Sequence, residues 1–324
     1  MRATLALTTW LTLLAGCATA APAPAPTLPP TVTQASASDE IAPQALNLWQ
    51  VRAPNGAISH LLGTYHFGIA LEEALPEAHI ETLDHARLVI AEMDLVHADM
   101  SGVAAVMMLP PGDDLEAILG PDLWAALVAR ITSTPEATLH RLTPFTAMIL
   151  VMGEEAGRQQ AQRAAARRVG NGTSSGEPTT TPDMLDLAVL RRADERSIPI
   201  AGLETMEQQL ALLQAVPLPE ILRDLRSSLR PSTGHGGGVA RTSQAFVDGD
   251  LEALWSEIQT AAAHAPSLYE TILFSRNAVW LAPLITELDR GRAFVAVGVG
   301  HLLGDRGLLA MLQARGYTIT RVRR

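Results

Sequence analysis

Two Gly-x-x-His motifs are the clearest candidates for chemistry in this chain: Gly-Thr-Tyr-His at residues 63–66 and Gly-Val-Gly-His at residues 298–301. Each follows a short apolar run, and another glycine comes two or three residues after the histidine. Glycine permits a tight turn at a strand end, and a histidine there projects from the edge at which open α/β sheets bind ligands. A single motif of this kind is a weak signal. Two in matching contexts favour a shared site and suggest an internal duplication, with His66 and His301 facing each other across a pseudo-two-fold axis.

Two glutamates add carboxylates to this candidate site, because Glu92 and Glu204 also follow short apolar runs. Imidazole and carboxylate together suit zinc, manganese, cobalt or iron, and an incomplete protein shell leaves room for water. Such a metal lowers the pKa of bound water, and a carboxylate outside the shell can act as a general base. We therefore predict a divalent transition metal held by His66, His301 and Glu92. For Glu204 the alternative is a cap for the helix that follows it.

A polar pair, Arg276 and Asn277, lies on the apolar face of a predicted helix over residues 267–290. Arg276 comes four residues after Ile272 and four before Trp280, so the three share one face. A buried guanidinium needs an anionic partner. Either the pair points into the site, towards a carboxylate or a bound oxyanion, or Arg276 forms a structural ion pair or extends its charged end to water.

The elements that would position these residues form a mixed pattern of short apolar runs and longer helical segments, which predicts an α+β domain. The first two strands flank the turn signal Pro-Asn-Gly at residues 54–56 and should form a hairpin. A large, mostly helical insertion separates the β-rich ends. Strands are predicted at residues 46–51, 58–62, 88–91, 198–201, 293–297 and 317–322, and helices at 72–86, 110–131, 144–168, 183–196, 203–229 and 267–290.

The N-terminal residues predict export and lipidation. Residues 1–17 have a positive start, a short apolar stretch and the lipobox Leu-Ala-Gly-Cys, and Cys17 is the only cysteine in the chain. The alternative is an ordinary signal peptide cleaved near Ala20 or Ala21. Residues 18–43, rich in Ala, Pro, Thr and Ser, would be a linker to a domain at 44–324. We expect a periplasm-facing or surface lipoprotein anchored in the outer membrane by lipid on Cys17.

Composition argues against two other classes of function. The formal net charge is −10, and the only basic cluster is Arg163, Arg167 and Arg168, so nucleic acid is not an expected partner. A Gly-x-Ser-x-Gly pattern at residues 172–176 matches serine hydrolases, whose serine needs a sharp turn between a strand and a helix. The surrounding residues are polar or proline, so we interpret this segment as a loop.

The sequence resembles the TraB/GumN family, which is related to the Tiki proteins, over about residues 44–324. The resemblance rests on five blocks, of which the last is the most specific. They are Leu-Gly-Thr-Tyr-His-Phe-Gly at 62–68, Ala-Glu-Met-Asp at 91–94, Ala-Gly-Leu-Glu-Thr at 201–205, Arg-Asn at 276–277, and Val-Gly-Val-Gly-His-Leu-Leu-Gly at 297–304.

The resemblance implies two ββα-type repeats that form a mixed central sheet around the helical insertion. It also implies a site made of His66, Glu92, Arg276, Asn277 and His301. Tiki members are metal-dependent proteases, so the expected function is an exported metal-dependent hydrolase, a Tiki-like metallopeptidase acting on a peptide or another small or extended substrate. Glu92 would be ligand or base, and Arg276 or Asn277 would stabilise the oxyanion. Because other relatives include an esterase-like group and a haem-binding lipoprotein, the alternative is a non-catalytic metal- or haem-binding envelope lipoprotein.

Overall fold

One six-stranded mixed sheet forms the centre of the fold. The computed structural model describes residues 45–66, 68–99, 102–171, 184–229 and 238–323. The sheet order is β4-β3-β5-β2-β1-β6. Its strands are β1 (Ala45–Arg52), β2 (Ile58–Thr64), β3 (Leu88–Ala91), β4 (Ile200–Gly202), β5 (Ala293–Gly298) and β6 (Thr318–Arg323).

The direction of the strands brings the candidate residues to one edge. β1 pairs antiparallel with β2, which confirms the predicted hairpin, and also antiparallel with β6. β2, β5, β3 and β4 pair in parallel, with Thr64 opposite Gly298 and Ala91 opposite both Ala296 and Gly202. The carboxyl ends of these four strands therefore lie side by side. His66, Glu92, Glu204 and His301 all follow them immediately in sequence.

Helices cover the sheet and form the expected insertion. All six residues of β5 are buried, as expected for a central strand packed on both faces. The insertion has a core of its own, in which Leu115, Leu127, Met148 and Leu225 are fully buried. The helices are Leu71–Ala74, Glu77–Asp84, Val103–Met107, Leu115–Leu119, Pro121–Arg130, Glu136–Leu139, Pro144–Asn171, Leu185–Glu195, Met206–Gln214, Leu218–Leu229, Gly238–Asp248, Leu251–His264, Pro266–Tyr269, Ser275–Arg290 and Leu308–Gln313.

Four predicted helical segments are interrupted. Segment 110–131 divides at Gly120, which has φ 76° and is the N-cap of helix Pro121–Arg130. Segment 72–86 divides before Glu77, where Pro76 stands as the N-cap, and segment 203–229 divides around Pro217, because proline lacks the backbone N–H that a continuous helix needs. Segment 267–290 contains a π-helical turn, Glu270–Phe274, directly before the helix that carries Arg276. Such turns are often found at functional sites.

Several predictions concern residues outside the described ranges. These are Cys17 with the signal and linker segments, and the Gly-x-Ser-x-Gly loop at residues 172–176. The duplication into two ββα-type repeats stays a prediction, whereas the mixed α+β sheet with its helical insertion is confirmed. Among the helices of the described residues, none combines the length and the apolar character needed to cross a membrane.

A buried carboxyl group lies within the helical part of the fold. Asp224, on helix Leu218–Leu229, is 7% exposed, and none of the described residues donates a hydrogen bond to its Oδ1. Burial raises the pKa of Asp224 from 3.8 to about 7, although the nearby positive charge of His264 opposes the shift. The folded protein therefore favours the protonated carboxyl.

We predict that the substitution Asp224→Asn removes a pH dependence of stability. As pH rises from about 4 to about 7, the unfolded chain ionises Asp224 while the folded chain does not, so the wild-type free energy of unfolding should fall by up to about 4 kcal/mol. Urea titrations at several pH values would measure the difference between wild type and variant. The exposed Asp113→Asn variant serves as the control. Parallel pH profiles for wild type and Asp224→Asn would contradict the prediction.

Candidate metal centre

His66 is held by a carboxylate at the end of β2. The histidine is 8% exposed, and its Nδ1 lies 2.7 Å from Asp186 Oδ2. The Thr64 hydroxyl donates a hydrogen bond to the other oxygen of Asp186. Because a carboxylate accepts, His66 Nδ1 carries the hydrogen. The lone pair of its Nε2 is therefore left for a ligand.

His301 is also held through its Nδ1, in this case by the side-chain amide of Asn277. It ends the 3₁₀ turn Val299–His301 that follows β5, and its Nδ1 lies 2.7 Å from Asn277 Oδ1. The Asn277 amide nitrogen donates to the carbonyls of His301 at 3.0 Å and Arg306 at 2.9 Å, which fixes its oxygen as the acceptor from the imidazole. The His301 ring also packs against Trp280, with ring centroids 4.4 Å apart. The lone pair of His301 lies on Nε2, as in His66.

Gly298 lies where these side chains converge. Its backbone N–H donates to Glu92 Oε1 at 2.9 Å, and the same oxygen lies 3.6 Å from His301 Nε2. A Cβ added to Gly298 would lie 3.2 Å from Glu92 Oε1, 3.4 Å from His66 Nε2 and 3.6 Å from His301 Cδ2. Glycine thus leaves open a small space that is bordered by two imidazoles and one carboxylate.

Arg276 joins the two glutamates in a buried ion cluster. One terminal nitrogen, Nη2, donates to Glu92 Oε2 at 2.6 Å and to Glu204 Oε1, and Nε donates to Glu204 Oε2 at 3.1 Å. The other, Nη1, donates to the carbonyl of Ile272 at 2.8 Å and lies 3.3 Å from His301 Nε2. Its guanidinium also lies 4.4 Å from the centre of the Trp280 ring. All five N–H groups of Arg276 are thereby directed at acceptors within the protein.

The pKa values follow from burial and from these charges. Burial lowers the pKa of His301 to about 3, against the attraction of Glu92. Burial favours the neutral form of Glu92, but the positive charge of Arg276, the charges of His301 and His66 and the Gly298 hydrogen bond together outweigh it and lower the pKa of Glu92 to about 2. Burial also opposes the charged form of His66, yet the charge and hydrogen bond of Asp186 raise its pKa. For Glu204, burial and the charge of Glu92 raise the pKa despite Arg276.

The kinds of donor suit a divalent cation, but the ligand atoms of His66, Glu92 and His301 do not all lie within 4.8 Å of one another, so binding would have to draw them together. In its neutral form each imidazole carries its hydrogen on Nδ1 and a lone pair on Nε2, and metal-ligating histidines typically donate their other N–H to a carboxylate or another acceptor. With the imidazoles neutral, the cluster contains three carboxylates (Glu92 and Glu204 on Arg276, and Asp186 on His66) and one guanidinium, so its formal charge is −2. A divalent ion would balance that charge.

Asn277 and Arg276 differ from the oxyanion-binding role expected for them. Both hydrogens of the Asn277 amide donate to backbone carbonyls, so this residue positions His301 instead of presenting an N–H to a substrate. Arg276 points towards carboxylates, which is one of the alternatives given by the sequence. Its N–H groups also donate to acceptors within the protein. Glu204 is not the N-cap of the next helix, since Thr205 occupies that position.

A second group of possible ligands lies on the helical insertion. Side-chain atoms of Asp114, Glu116 and His140 lie within 4.8 Å of one another. Asp114 is the N-cap of helix Leu115–Leu119 and accepts from the Glu116 N–H at 2.8 Å. His140 Nδ1 lies 3.1 Å from both oxygens of Asp114. A helix cap and a partly exposed ion pair account for this group, so we assign no metal to it.

Comparison with known proteins identifies the family of this chain. A model of the TraB/PrgY/gumN family matches residues 47–321, which include every member of the cluster around Gly298. The chain belongs to this family. The predicted family resemblance is therefore confirmed over most of the length. No solved structure matches the chain.

The relatives of this family member differ in how much of their length is covered. The uncharacterized protein YbaP of Shigella flexneri is 25% identical over 268 residues, covering 81% of this chain and 90% of YbaP. Metalloprotease TIKI2 of Xenopus tropicalis is 22% identical over 84% of this chain and 59% of its own length. Metalloprotease TIKI1 of Danio rerio is 20% identical over 84% of this chain and 62% of its own length. The chain thus spans about three fifths of each of these two Tiki relatives.

One residue of the cluster escaped the sequence reasoning. Asp186 lies on helix Leu185–Glu195, for which the sequence predicted only a helix over residues 183–196, yet it is 4% exposed. A signal was present, because an acidic residue among the buried positions of such a helix needs a partner. The sequence does not say which partner, since His66 is 120 residues away.

We predict that Arg276→Met lowers the free energy of unfolding by about 3–5 kcal/mol, because it leaves two buried carboxylates without their counter-charge. Denaturant titrations with a chelator present would measure this effect without interference from metal. The surface variant Arg306→Met, whose partner Glu270 is exposed, should change stability far less. Adding Glu204→Gln to Arg276→Met should recover part of the loss. Equal stability of Arg276→Met and wild type would contradict the ion cluster.

Proposed function

We propose that this chain is a metal-dependent hydrolase, a peptidase of the Tiki type, with a divalent transition metal held by His66, His301 and Glu92. The observation that carries the proposal is the convergence of His66 Nε2, His301 Cδ2 and Glu92 Oε1 within 3.2–3.6 Å of the position of a Cβ on Gly298. Glycine at this position leaves space for an ion that any other residue would fill. Manganese, cobalt, zinc and iron all suit this donor set.

The chain's own residues would orient and enclose the reacting groups. When bound, the metal would act as a Lewis acid that activates water and polarises a carbonyl. Asp186 and Asn277 fix the two imidazole rings, and the Gly298 N–H and Arg276 fix the two oxygens of Glu92. Because His66, Glu92 and His301 are each at most 8% exposed, their interactions are screened little by bulk water.

A peptide is the proposed substrate, because Tiki relatives in two species are named metalloproteases. The geometry also argues against haem as the bound group. Glu92 Oε1 at 3.6 Å and Arg276 Nη1 at 3.3 Å border His301 Nε2, and the Trp280 ring packs on the imidazole. A porphyrin that approached Nε2 would have to displace all three side chains.

Metal binding without turnover is the second candidate function. It is favoured by one observation: the N–H groups of Arg276 and Asn277 already donate within the protein, so neither residue presents a donor to an oxyanion. Hydrolysis would then need the metal, or a group of the substrate itself, to stabilise the oxyanion. Peptide turnover distinguishes the two candidates.

We predict that Gly298→Ala abolishes metal binding without unfolding the protein, because its methyl group would fill the space beside Glu92 and His66. The backbone at Gly298, with φ −49° and ψ 133°, is allowed for alanine. Gly300→Ala is the matched control, since the three atoms nearest its Cβ would belong to the apolar side chains of Ile258 and Leu273, at 3.4–3.6 Å. Metal content of the purified full chain after incubation with each candidate ion gives the readout.

About one ion per chain in wild type and Gly300→Ala, and none in folded Gly298→Ala or His66→Ala/His301→Ala, would support the site. Wild-type chain that takes up none of the four metals would contradict it. The same proteins would then be tested on a peptide library. Hydrolysis by metal-loaded wild type that Gly298→Ala lacks would support the peptidase, whereas metal binding without any hydrolysis would leave the binding role.

We further propose that lipid on Cys17 anchors the protein in the outer membrane, facing the periplasm or the cell surface. The support is the lipobox at residues 14–17, which holds the only cysteine of the chain. We predict that Cys17→Ser moves the exported protein from the membrane to the soluble fraction and abolishes incorporation of labelled palmitate. Unchanged membrane fractionation of the variant would contradict the anchor.

A further inference from the structure

Asp186 uses both of its carboxylate oxygens to connect two residues of one strand end. Oδ2 accepts from His66 Nδ1 at 2.7 Å, and Oδ1 accepts from the Thr64 hydroxyl. Thr64 is the last residue of β2, and His66 follows two residues later in the bend after the strand. The end of β2 therefore presents two donors to one carboxylate.

The position of Asp186 on its helix also suits a fixed negative charge. It lies in the first turn of helix Leu185–Glu195, where the unpaired backbone N–H groups favour an anion. The carboxylate is 4% exposed and the Thr64 side chain is also buried. Two hydrogen bonds and burial thus hold the carboxylate in one place, which a chance surface contact would not achieve.

The two histidines differ in what holds them. His301 is held by the neutral amide of Asn277, whereas His66 is held by a carboxylate. A carboxylate acceptor makes the opposite ring nitrogen a better electron donor to a metal than an amide does. Asp186 is also one of the three carboxylates that, with the guanidinium of Arg276, give the cluster its formal charge of −2.

We propose that Asp186, supported by Thr64, is a positioning residue that fixes the His66 ring with its Nε2 lone pair towards the metal and strengthens that ligand. This inference rests on the metal-dependent function proposed above. Asp186 does not itself touch the ion, because both of its oxygens are engaged by His66 and Thr64.

The test is the metal affinity of the full chain, measured by competition with a chromogenic chelator for zinc and for cobalt. Asp186→Asn should weaken binding by about 10–100-fold, the range found when such outer partners are removed, and Thr64→Val should weaken it less. The control is Asp84→Asn. Asp84 pairs at 2.7 Å with Arg192, which lies on the same helix as Asp186. Its substitution therefore disturbs the packing of that helix without touching His66.

Weaker binding in Asp186→Asn with unchanged binding in Asp84→Asn supports the inference. Wild-type affinity in a folded Asp186→Asn variant overturns it and leaves the metal site itself intact. Wild-type chain that binds neither ion overturns the proposed function as well, so the two failures are distinguishable.

A second measurement needs no variant at Asp186. In zinc-loaded wild type, ¹⁵N NMR of the histidine rings should show His66 protonated on Nδ1 and metal-bound through Nε2. Binding through Nδ1 would overturn the inference, because that nitrogen would then be unable to donate to Asp186. The NMR result therefore decides the case even if Asp186→Asn fails to fold.

Discussion

The buried charge of Arg276 is the constraint on which the site depends. Two carboxylates from separate strand ends, Glu92 and Glu204, share its guanidinium in an environment where an unpaired charge would be strongly destabilising. The next residue, Asn277, positions His301 at the end of β5. One helix turn therefore ties β3, β4 and β5 together. Because these strands are parallel neighbours, the tie also brings the side chains that follow them to one point of the sheet edge.

Arg276 and the two glutamates of the cluster pair with one another without any ion. Arg276 Nη1 lies 3.3 Å from the His301 Nε2 lone pair that a metal would need, while it keeps its stronger contact with the Ile272 carbonyl. A metal and the guanidinium would thus compete for one lone pair, at the loss of one weak hydrogen bond. His66 has no such competitor within the cluster, and its carboxylate partner makes it the stronger donor. The two Gly-x-x-His motifs, alike in sequence, therefore provide two different ligands.

The sequence predicts this site well where the signal is local. His66, Glu92, Glu204 and His301 each end a short apolar run, so strand-end reasoning places them together, and helix periodicity places Arg276 and Asn277 on a buried face. The sequence does not predict contacts that depend on tertiary packing. Asp186 pairs with a residue 120 positions away. The side-chain N–H groups of Arg276 and Asn277 all donate within the protein, and this likewise depends on neighbours that no periodicity reveals. The hydrophobic pattern alone predicted continuous helices through Pro76 and Pro217, where the structure divides them.

The central claim is that His66, Glu92 and His301 share one metal beside Gly298. The measurement that tests it most directly is a crystal structure of the cobalt- or zinc-loaded protein, with anomalous diffraction data collected on both sides of the metal absorption edge. The account predicts one strong peak next to Gly298, within bonding distance of both Nε2 atoms and Glu92 Oε1. A peak at Asp114, Glu116 and His140 with none beside Gly298 would contradict it.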